Sequence, residues 1–505
     1  MKKRTIEIMD TTLRDGEQTS GVSFSVAEKL TLSRLLLGEL NVDRIEIGSA
    51  RVSVGEHNAV KEITQWAKSD GLEKRVEVLG FVDGGTSIEW MIETGVKVQN
   101  LLTKGSLNHL KHQLKKTPHQ HFKDVEENIF NANREGIDTN VYLEDWSNGM
   151  RNSKDYVIDY LSFLTTLPIK RILLPDTLGV MTYFETFAFV SEIVKKYPKF
   201  HFDFHGHNDY DLSVANAMEA VRAGCKGLHL TINGMGERAG NTPMASTVAT
   251  IKDFFPDFGV NINESSLYKV SKLVETFTGF RIPVNKPVVG QNVFTQTAGI
   301  HADGDKKNNL YFNDLLPERF GRTRQYALGK TSGKANIQKN LQKLGLKLND
   351  DEIKKVTQRI IELGDKKEIV TTEDLPYIIS DILNSNVEQK VAVKSYVLTH
   401  SKGLRPTTAV SLEIEGELLE ENAPGDGQFD AFMNAIKKIY LRKKRELPLL
   451  IDYAVRIPPG SNSDALCETL ITWKNSKKEF ITRGLDSDQT VSAIKAAEKM
   501  LNVIA

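Results

Sequence analysis

The stretch FHFDFHGHNDYDLSVANAMEAVRAGCKGLHLTING, residues 200–234, decides the fold, because it predicts a strand, a helix and a second strand in succession. Its two ends, 200–209 and 227–234, alternate apolar and polar residues as strands do, while apolar residues recur at helical spacing over 211–224. Gly224 is a stop signal for that helix. Two strands joined by a helix form the unit from which parallel sheets are built. The stretch therefore predicts an α/β fold.

The same alternation runs through the first part of the chain. Eight strands alternating with helices over about 250 residues predict a (β/α)8 TIM barrel, and the alternative is a doubly wound sheet. Nearly every predicted strand ends in polar or acidic residues, at the end where the active sites of such barrels lie, which favours the barrel. The six further strand patterns occupy 5–10, 42–49, 76–82, 98–104, 139–145 and 171–177.

The pattern changes after residue 285. Residues 286–388 are first rich in turn residues and then helical, which predicts a mostly helical linker subdomain. Residues 389–505 contain two similar halves, each with strands before a helix, in which Asp430 aligns with Asp488 at an offset of 488 − 430 = 58. We therefore expect a barrel at 1–285, the linker at 286–388 and an α+β tandem-repeat domain at 389–505.

The bulk composition argues against several classes of protein. Lys+Arg and Asp+Glu are equal at 66 each, a formal net charge of +0, which disfavours broad binding of nucleic acid or of an anionic membrane. The chain has two cysteines, no signal-peptide pattern and no apolar run long enough to cross a bilayer. These features predict a soluble cytoplasmic protein with neither a membrane nor a nucleic acid as partner.

The candidate metal ligands are His205 and His207, which stand two apart at the end of a predicted strand. Residues two apart on a strand share a side, so both imidazoles are expected to project into the barrel mouth. The ends of the first and eighth strands offer Asp15 and Asn241 as oxygen ligands. The alternative is a pair of strand-end histidines hydrogen bonded to a loop. The pattern predicts a divalent metal site, with Mn2+, Mg2+ and Zn2+ as candidates.

Further polar residues end the neighbouring strands. Arg14 could neutralise charge on a polarised carbonyl oxygen, and its alternative is a salt bridge at the top of the barrel. Tyr142 and Glu144 share one face of the fifth strand, and Thr177 ends the sixth. An acid, a phenol and a hydroxyl near a metal suit the binding and enolisation of a small oxo compound. The alternative for Glu144 is an ion pair with a neighbouring Lys or Arg.

Five motifs resemble those of a known enzyme family. DTTLRDGEQTSG, FHGHNDYDLSVAN and NGMGERAGNTP resemble the signature motifs of 2-isopropylmalate, homocitrate and citramalate synthases, and AGIHADG and LGKTSGK extend the resemblance into the linker. The resemblance covers almost the whole chain. It implies a catalytic barrel, a linker subdomain, an allosteric regulatory domain and a homodimer. It also implies an acyltransferase that condenses acetyl-CoA with a 2-oxo acid and then hydrolyses the thioester.

The resemblance also implies roles for single residues. The four metal candidates match the ligands of the family, with Asn241 as the more distant member. Arg14 matches the residue that polarises the keto oxygen, Glu144 the acid implicated in enolisation, and Thr177 a hydroxyl that holds the carboxylate of the 2-oxo acid.

The linker departs from the motifs of the family at two places. GKTSGK has Thr331 where isopropylmalate synthases have a catalytic histidine, and HADG replaces HQDG. We expect His301, Asp303 and Tyr311 to reach over the barrel mouth and take over that catalytic part. The alternative for these residues is a solvated loop.

The segment YLEDWSNGM, residues 142–150, resembles the citramalate synthase branch of the family. Leu79, Leu102 and Tyr142 are the expected lining of the 2-oxo acid pocket, and they leave room for a methyl rather than an isopropyl group. Pyruvate is therefore the expected substrate, and 2-oxoisovalerate is the alternative. An acyl-CoA lyase or aldolase is disfavoured by the tandem repeat, and a non-catalytic metabolite sensor by the complete set of candidate site residues.

The tandem repeat is expected to bind an end-product amino acid, which is isoleucine if citramalate is the product and leucine if isopropylmalate is. Candidate contacts are Phe429 and Asp430 at the start of a predicted helix, with Ile451, Tyr453 and Ile457 on the strand that follows it. The alternative is an ordinary amphipathic core.

Overall fold

The computed structural model describes residues 4–308, 310–365, 370–383, 390–456, 467–476 and 479–505. Two compact units are present, Met1–Phe294 with Asn313–Thr323, and Thr295–Phe312 with Arg324–Ala505. Among the described residues, no helix is both long enough and apolar enough to cross a membrane.

Eight parallel strands of the first unit close into a barrel, so the expected (β/α)8 fold is confirmed. The strands follow one another around the barrel in chain order, and the last pairs with the first. They are β1 (Glu7–Asp10), β2 (Arg44–Ser49), β3 (Val76–Phe81), β4 (Val98–Lys104), β5 (Asp138–Glu144), β6 (Arg171–Asp176), β7 (Phe202–Gly206) and β8 (Gly227–Leu230).

Helices connect these strands, and their apolar faces share one core with the apolar strand residues. The first helix starts at a capping box, in which Ser25 accepts from the backbone of Glu28 and Glu28 reaches back to Ser25. The helices are α1 (Val26–Arg34), α2 (Val54–Ser69), α3 (Thr86–Thr94), α4 (Pro118–Arg134), α5 (Trp146–Asn152), α6 (Lys154–Leu164), α7 (Tyr183–Lys196), α8 (Ser213–Ala223), α9 (Met244–Phe254) and α10 (Leu267–Thr278).

The interior of the barrel is layered, because adjacent strands pair in register and alternate residues point inward. On β4 and β5, three inward pairs follow one another toward the carboxyl ends of the strands, where the candidate site residues lie. From the centre of the barrel outward these pairs are Asn100 with Asn140, Leu102 with Tyr142, and Lys104 with Glu144.

The second unit begins with helices and ends in two antiparallel sheets, as the sequence predicts. Each three-stranded sheet is followed by one helix, and both sheets and both helices share one apolar core. The elements are α11 (Gly299–Lys306), α12 (Lys334–Leu344), α13 (Asp350–Asp365), α14 (Leu375–Leu383), β9 (Val391–Thr399), β10 (Thr407–Ile414), β11 (Glu417–Pro424), α15 (Gln428–Arg442), β12 (Leu449–Arg456), β13 (Cys467–Lys474), β14 (Glu479–Asp486) and α16 (Gln489–Ile504).

The spacing between the two halves of the repeat changes along the chain. The first strands start 449 − 391 = 58 residues apart, whereas the helices start 489 − 428 = 61 residues apart. Asp488 is the N-cap of α16, while Asp430 lies in the first turn of α15. The predicted equivalence of these two residues at a constant offset of 58 is therefore wrong by three positions, because the connections between strands differ in length.

Candidate active site

Three buried side chains meet at the carboxyl end of the barrel strands, namely Asp15, His205 and His207. Each offers one ligand atom, and these atoms all lie within 4.8 Å of one another. Nε2 of His205 lies 3.3 Å, and Nε2 of His207 4.0 Å, from Oδ2 of Asp15. Two imidazoles and a carboxylate form a donor set that suits a divalent cation.

Asn241, the fourth metal candidate, is held beside His207. The two residues form an isolated antiparallel bridge, and Nδ2 of Asn241 donates to the carbonyl of Met235 at 3.1 Å. A Cβ at Gly236 would lie 2.3 Å from that Nδ2, so only glycine lets the loop close over the amide. The structure thus brings the four predicted metal ligands to one end of the barrel.

The buried polar atoms of this cluster fit a cation. Oδ1 of Asp15 and Oδ1 of Asn241 are buried without a hydrogen-bond partner in the described part of the chain, although buried polar atoms are usually paired. Burial alone would raise the pKa of Asp15, but Arg14, His205 and His207 hold that pKa well below its usual range. Burial lowers the pKa of His207 to about 4. An ionised carboxylate and a neutral imidazole are the forms that bind metal.

The guanidinium of Arg14 donates hydrogen bonds to three different side chains. Nε donates to Glu46 at 2.6 Å, Nη1 to Asp15 at 2.8 Å and Nη2 to the hydroxyl of Tyr142 at 3.3 Å. Burial opposes the charge, but the carboxylates of Glu46 and Asp15 raise the pKa of Arg14, so the cation persists. The salt bridge considered as an alternative role is therefore present, and it links the metal candidates to the pocket.

Glu46 is a site residue that the sequence did not reveal. This fully buried carboxylate accepts from Arg14, from the hydroxyl of Thr11 at 2.8 Å and from Nδ2 of Asn100 at 2.8 Å. The signal in the sequence was an acid between two isoleucines of a predicted buried strand, since a buried acid needs a partner.

A second buried chain of polar groups supports Tyr142 from below. Its hydroxyl lies 2.8 Å from Nδ1 of His229, and Nε2 of that histidine lies 3.2 Å from Asp203. Asp203 is itself paired with Arg44 at 2.5 Å. Burial lowers the pKa of His229 to about 4, so a neutral imidazole joins the phenol to the carboxylate. Asp203 thus supports the site through His229 and is not one of the metal candidates.

The predicted pocket residues lie together. Leu79 and Tyr142 are buried with Leu173 in a small apolar cluster separate from the main core, and Leu102 and Phe81 pack against it half-buried. Leu173 and Phe81 were not predicted, although both occupy inward positions on their strands.

Glu144 is the last residue of β5, and Thr177 directly follows the last residue of β6. Glu144 pairs with Lys104 at the end of β4, which is the ion pair considered as an alternative. The hydroxyl of Thr177 accepts from the backbone N–H of Asp145 at 2.9 Å, so its own proton is available to a carboxylate.

The linker candidates lie in the second unit. The rings of His301 and Tyr311 have centroids 4.2 Å apart, and Asp303 pairs with Lys307 at 2.6 Å. A Cβ at Gly304 would lie 2.4 Å from the ring of Tyr311, so the glycine of HADG is required for this packing. The catalytic part of these residues stays a prediction.

Three of the five effector candidates line one cavity of the tandem repeat. Phe429, Asp430 and Tyr453 surround a cavity of about 600 Å3 where α15 and α16 begin. Ile451 is 43% exposed on β12 and is not part of the lining. Ile457 lies outside the described residues.

Comparison with known proteins gives the family. Residues 5–274 match the HMGL-like family, 288–368 the homocitrate synthase post-HMGL domain-like family, and 369–505 the LeuA allosteric (dimerisation) domain. The chain is 32% identical over 507 residues to a probable 2-isopropylmalate synthase of Methanopyrus kandleri, which covers 99% of this chain and 98% of the relative. The chain belongs to the isopropylmalate/citramalate synthase family.

Isopropylmalate synthases and citramalate synthases are similar to this chain to about the same degree. A 2-isopropylmalate synthase of Methanocaldococcus jannaschii is 32% identical, covering 99% of this chain and 94% of the relative. The (R)-citramalate synthase CimA of the same organism is 31% identical, covering 99% of both chains. As a member of this family, the chain is an acyltransferase that condenses a 2-oxo acid with acetyl-CoA. The buried group of Asp15, His205 and His207 is consistent with the divalent metal site typical of the family. The match to the LeuA allosteric (dimerisation) domain indicates that the protein forms a dimer and binds an effector.

Proposed function

We propose that this synthase condenses acetyl-CoA with pyruvate to give (R)-citramalate and CoA. The observation that supports pyruvate is the apolar cluster of Leu79, Tyr142 and Leu173, closed by Leu102. The hydroxyl of Tyr142 accepts a hydrogen bond from Nη2 of Arg14, so this cluster adjoins the metal candidates. Bulky side chains around the substituent of the 2-oxo acid favour a methyl group over an isopropyl group. The competing substrate is 2-oxoisovalerate, because relatives of equal similarity are isopropylmalate synthases.

The residues of the site divide the chemistry among them. The four metal candidates would hold a divalent cation, which as a Lewis acid makes the keto carbonyl electrophilic. Arg14 would stabilise the negative charge that develops on the keto oxygen, and Thr177 would donate to the carboxylate of the substrate. Glu144 would accept a proton from the methyl group of acetyl-CoA. The resulting enolate carbon bonds to the keto carbon, the alkoxide takes a proton, and water then cleaves the thioester to release CoA as a thiol.

The 2-oxo acid preference tests this proposal. We expect kcat/KM, measured by CoA release with a panel of 2-oxo acids, to be highest for pyruvate. Leu102→Ala is expected to shift the preference toward 2-oxoisovalerate by about 10- to 100-fold, because one or two methylenes in such a pocket are worth about 1–3 kcal/mol. The exposed Leu418→Ala is the matched control and should leave the preference unchanged. A parent protein that prefers 2-oxoisovalerate would overturn the assignment of pyruvate.

We further propose that the cavity at the start of α15 binds the amino-acid effector. Gly427 is the N-cap of this helix, which has no side-chain cap, whereas Asp488 caps α16. Uncapped N–H groups at a helix start suit a carboxylate, and Asp430 in the first turn suits an ammonium group. Phe429 and Tyr453, with ring centroids 5.4 Å apart, offer an apolar wall. These features support a branched amino acid, isoleucine if citramalate is the product.

Asp430→Asn is the test of this effector site. Inhibition of the parent by isoleucine is expected, and the variant should need at least about tenfold more isoleucine, because a hydrogen bond to a charged group contributes about 1.5–3 kcal/mol. The uninhibited kcat should not change. Glu415→Gln, at an exposed acid of the same unit that pairs with Arg445, is the control. Unaltered inhibition in Asp430→Asn would rule out this cavity as the effector site, and inhibition by leucine alone would favour isopropylmalate as the product.

A further inference from the structure

Lys104 and Glu144 form an ion pair above the pocket of the barrel. The two residues are lateral neighbours on β4 and β5, one inward layer closer to the strand ends than Leu102 and Tyr142. The ammonium group of Lys104 contacts Oε2 of Glu144. The register of two adjacent strands, and not a flexible loop, therefore places a cation beside the candidate base.

The backbone of Lys104 is also held by side chains from outside the barrel sheet. Its backbone N–H donates to Nε2 of His121 at 3.2 Å, and its carbonyl accepts from the hydroxyl of Tyr156 at 2.7 Å. These side chains come from α4 and α6, so the end of β4 is held by two helices. Lys104 is only 6% exposed, and in the described part of the chain Glu144 is the one acceptor that its ammonium group contacts. A buried lysine is costly unless it is paired, so this contact is expected to persist.

In the part of the chain that the structure describes, Oε1 of Glu144 accepts no hydrogen bond. Oε1 lies 3.9 Å from Nδ1 of His109, which is too long for a hydrogen bond. The side chain of Glu144 is 21% exposed, against 7% for Lys104. One carboxylate oxygen is thus bound to a nearly buried cation, while the other can receive a proton.

We propose that Lys104 is a positioning residue, which orients Glu144 so that Oε1 faces the methyl group of acetyl-CoA. The inference rests on the proposed function. In the step concerned, a methyl C–H bond breaks, the proton passes to Oε1, and the electron pair moves onto the thioester oxygen to form the enolate. Lys104 transfers no proton and contacts no substrate; it restricts the orientation of the base.

Lys104→Met separates this role from a structural one, because methionine retains the apolar stem and removes the charge. We expect kcat to fall about 10- to 100-fold, since a displacement of about 1 Å can cost about 100-fold in rate. The KM for the 2-oxo acid should change by less than about twofold, because the substitution alters no residue that is proposed to bind this substrate. Lys104→Arg should recover most of the kcat. Lys154→Met, which removes an exposed ion pair with Glu192, is the matched control.

A double-mutant cycle with Glu144→Gln tests whether Lys104 affects kcat through Glu144. If Lys104 acts through Glu144, then Lys104→Met should lower kcat by less than about twofold once Glu144 is Gln, since coupled residues are not additive. Additive losses, or a rise in KM with kcat intact, would overturn the inference while leaving the proposed function standing. If Lys104→Met does not fold by circular dichroism, Lys104→Gln takes its place in the same cycle. A parent that releases no CoA with any 2-oxo acid would contradict the proposed function, and the inference with it.

Discussion

Asp15→Asn is expected to abolish tight binding of divalent metal and to lower kcat/KM by about 10⁴-fold. Oδ2 of Asp15 lies within 4.0 Å of Nε2 of both His205 and His207, so the carboxylate is the common member of the cluster. An amide of the same shape retains the packing but has no negative charge for the cation. Loss of a Lewis acid removes several kcal/mol of transition-state stabilisation, at about 1.4 kcal/mol for each factor of ten. Metal content of the purified variant and CoA release measure the two effects.

Asp211→Asn is the matched control for that loss. Asp211 belongs to the motif that contains His205 and His207, is exposed and has a φ of 57°, a backbone conformation that asparagine also adopts readily. Its activity and metal content should equal those of the parent. An Asp15→Asn variant that retains metal and turnover would refute the metal site, whatever the substrate preference proves to be.

Arg14→Lys is expected to lower kcat by about 10²- to 10³-fold, the effect of removing a preorganised donor from a developing oxyanion. The guanidinium binds Glu46, Asp15 and Tyr142 through three different nitrogens. A lysine ammonium is a single point charge on a flexible stem, so it cannot keep all three partners in place. Metal affinity should fall less than kcat, by about tenfold, because the metal candidates are unchanged and only a hydrogen-bond partner of Asp15 is altered.

The separation of kcat from metal affinity is the critical measurement for Arg14. Arg222→Lys, on the exposed face of α8 beside Glu219, controls for the loss of a guanidinium and should behave as the parent. If Arg14→Lys lost metal and activity in equal measure, Arg14 would be a structural support of Asp15, without a direct part in stabilising the keto oxygen.

Strand periodicity carried the prediction of the fold and of the metal cluster. The alternation of strands and helices predicted the barrel, and the spacing of two between His205 and His207 predicted that their side chains share a side. Both inferences depend only on local geometry, which each segment determines by itself. The same holds for Arg14 and Asp15, since both lie in the loop that follows the first strand and are therefore at the same end of the barrel as the other strand ends.

The partners of these residues could not be predicted in this way. Glu46 binds Arg14 across 32 positions, and Tyr142 meets His229 across 87. The alternation of residues along a strand shows that such a polar residue points into the barrel. It does not show which of the other inward polar groups is its partner. The Lys104–Glu144 pair is similar, because its existence depends on the register of two strands 40 positions apart.

The tandem repeat of the second unit also shows what the sequence could not predict. Matching residues at a constant offset located the two halves correctly but misaligned Asp430 and Asp488, because the offset grows from 58 at the first strand to 61 at the helix. Only the structure shows that Asp488 caps its helix, while Asp430 lies inside the first turn and accepts from the backbone of Asp426 and from Asn434.

The sequence by itself determined the barrel, the tandem repeat, the side on which the candidate ligands lie and, through its motifs, the resemblance to a family of synthases. Tertiary structure alone decided which carboxylate pairs with which cation, which apolar residues close the pocket and which helix start is left uncapped. The physical reason is that periodicity is a property of a short segment, whereas a buried polar contact is made between segments. Its partner is chosen by strand register and by the requirement that buried polar groups be paired.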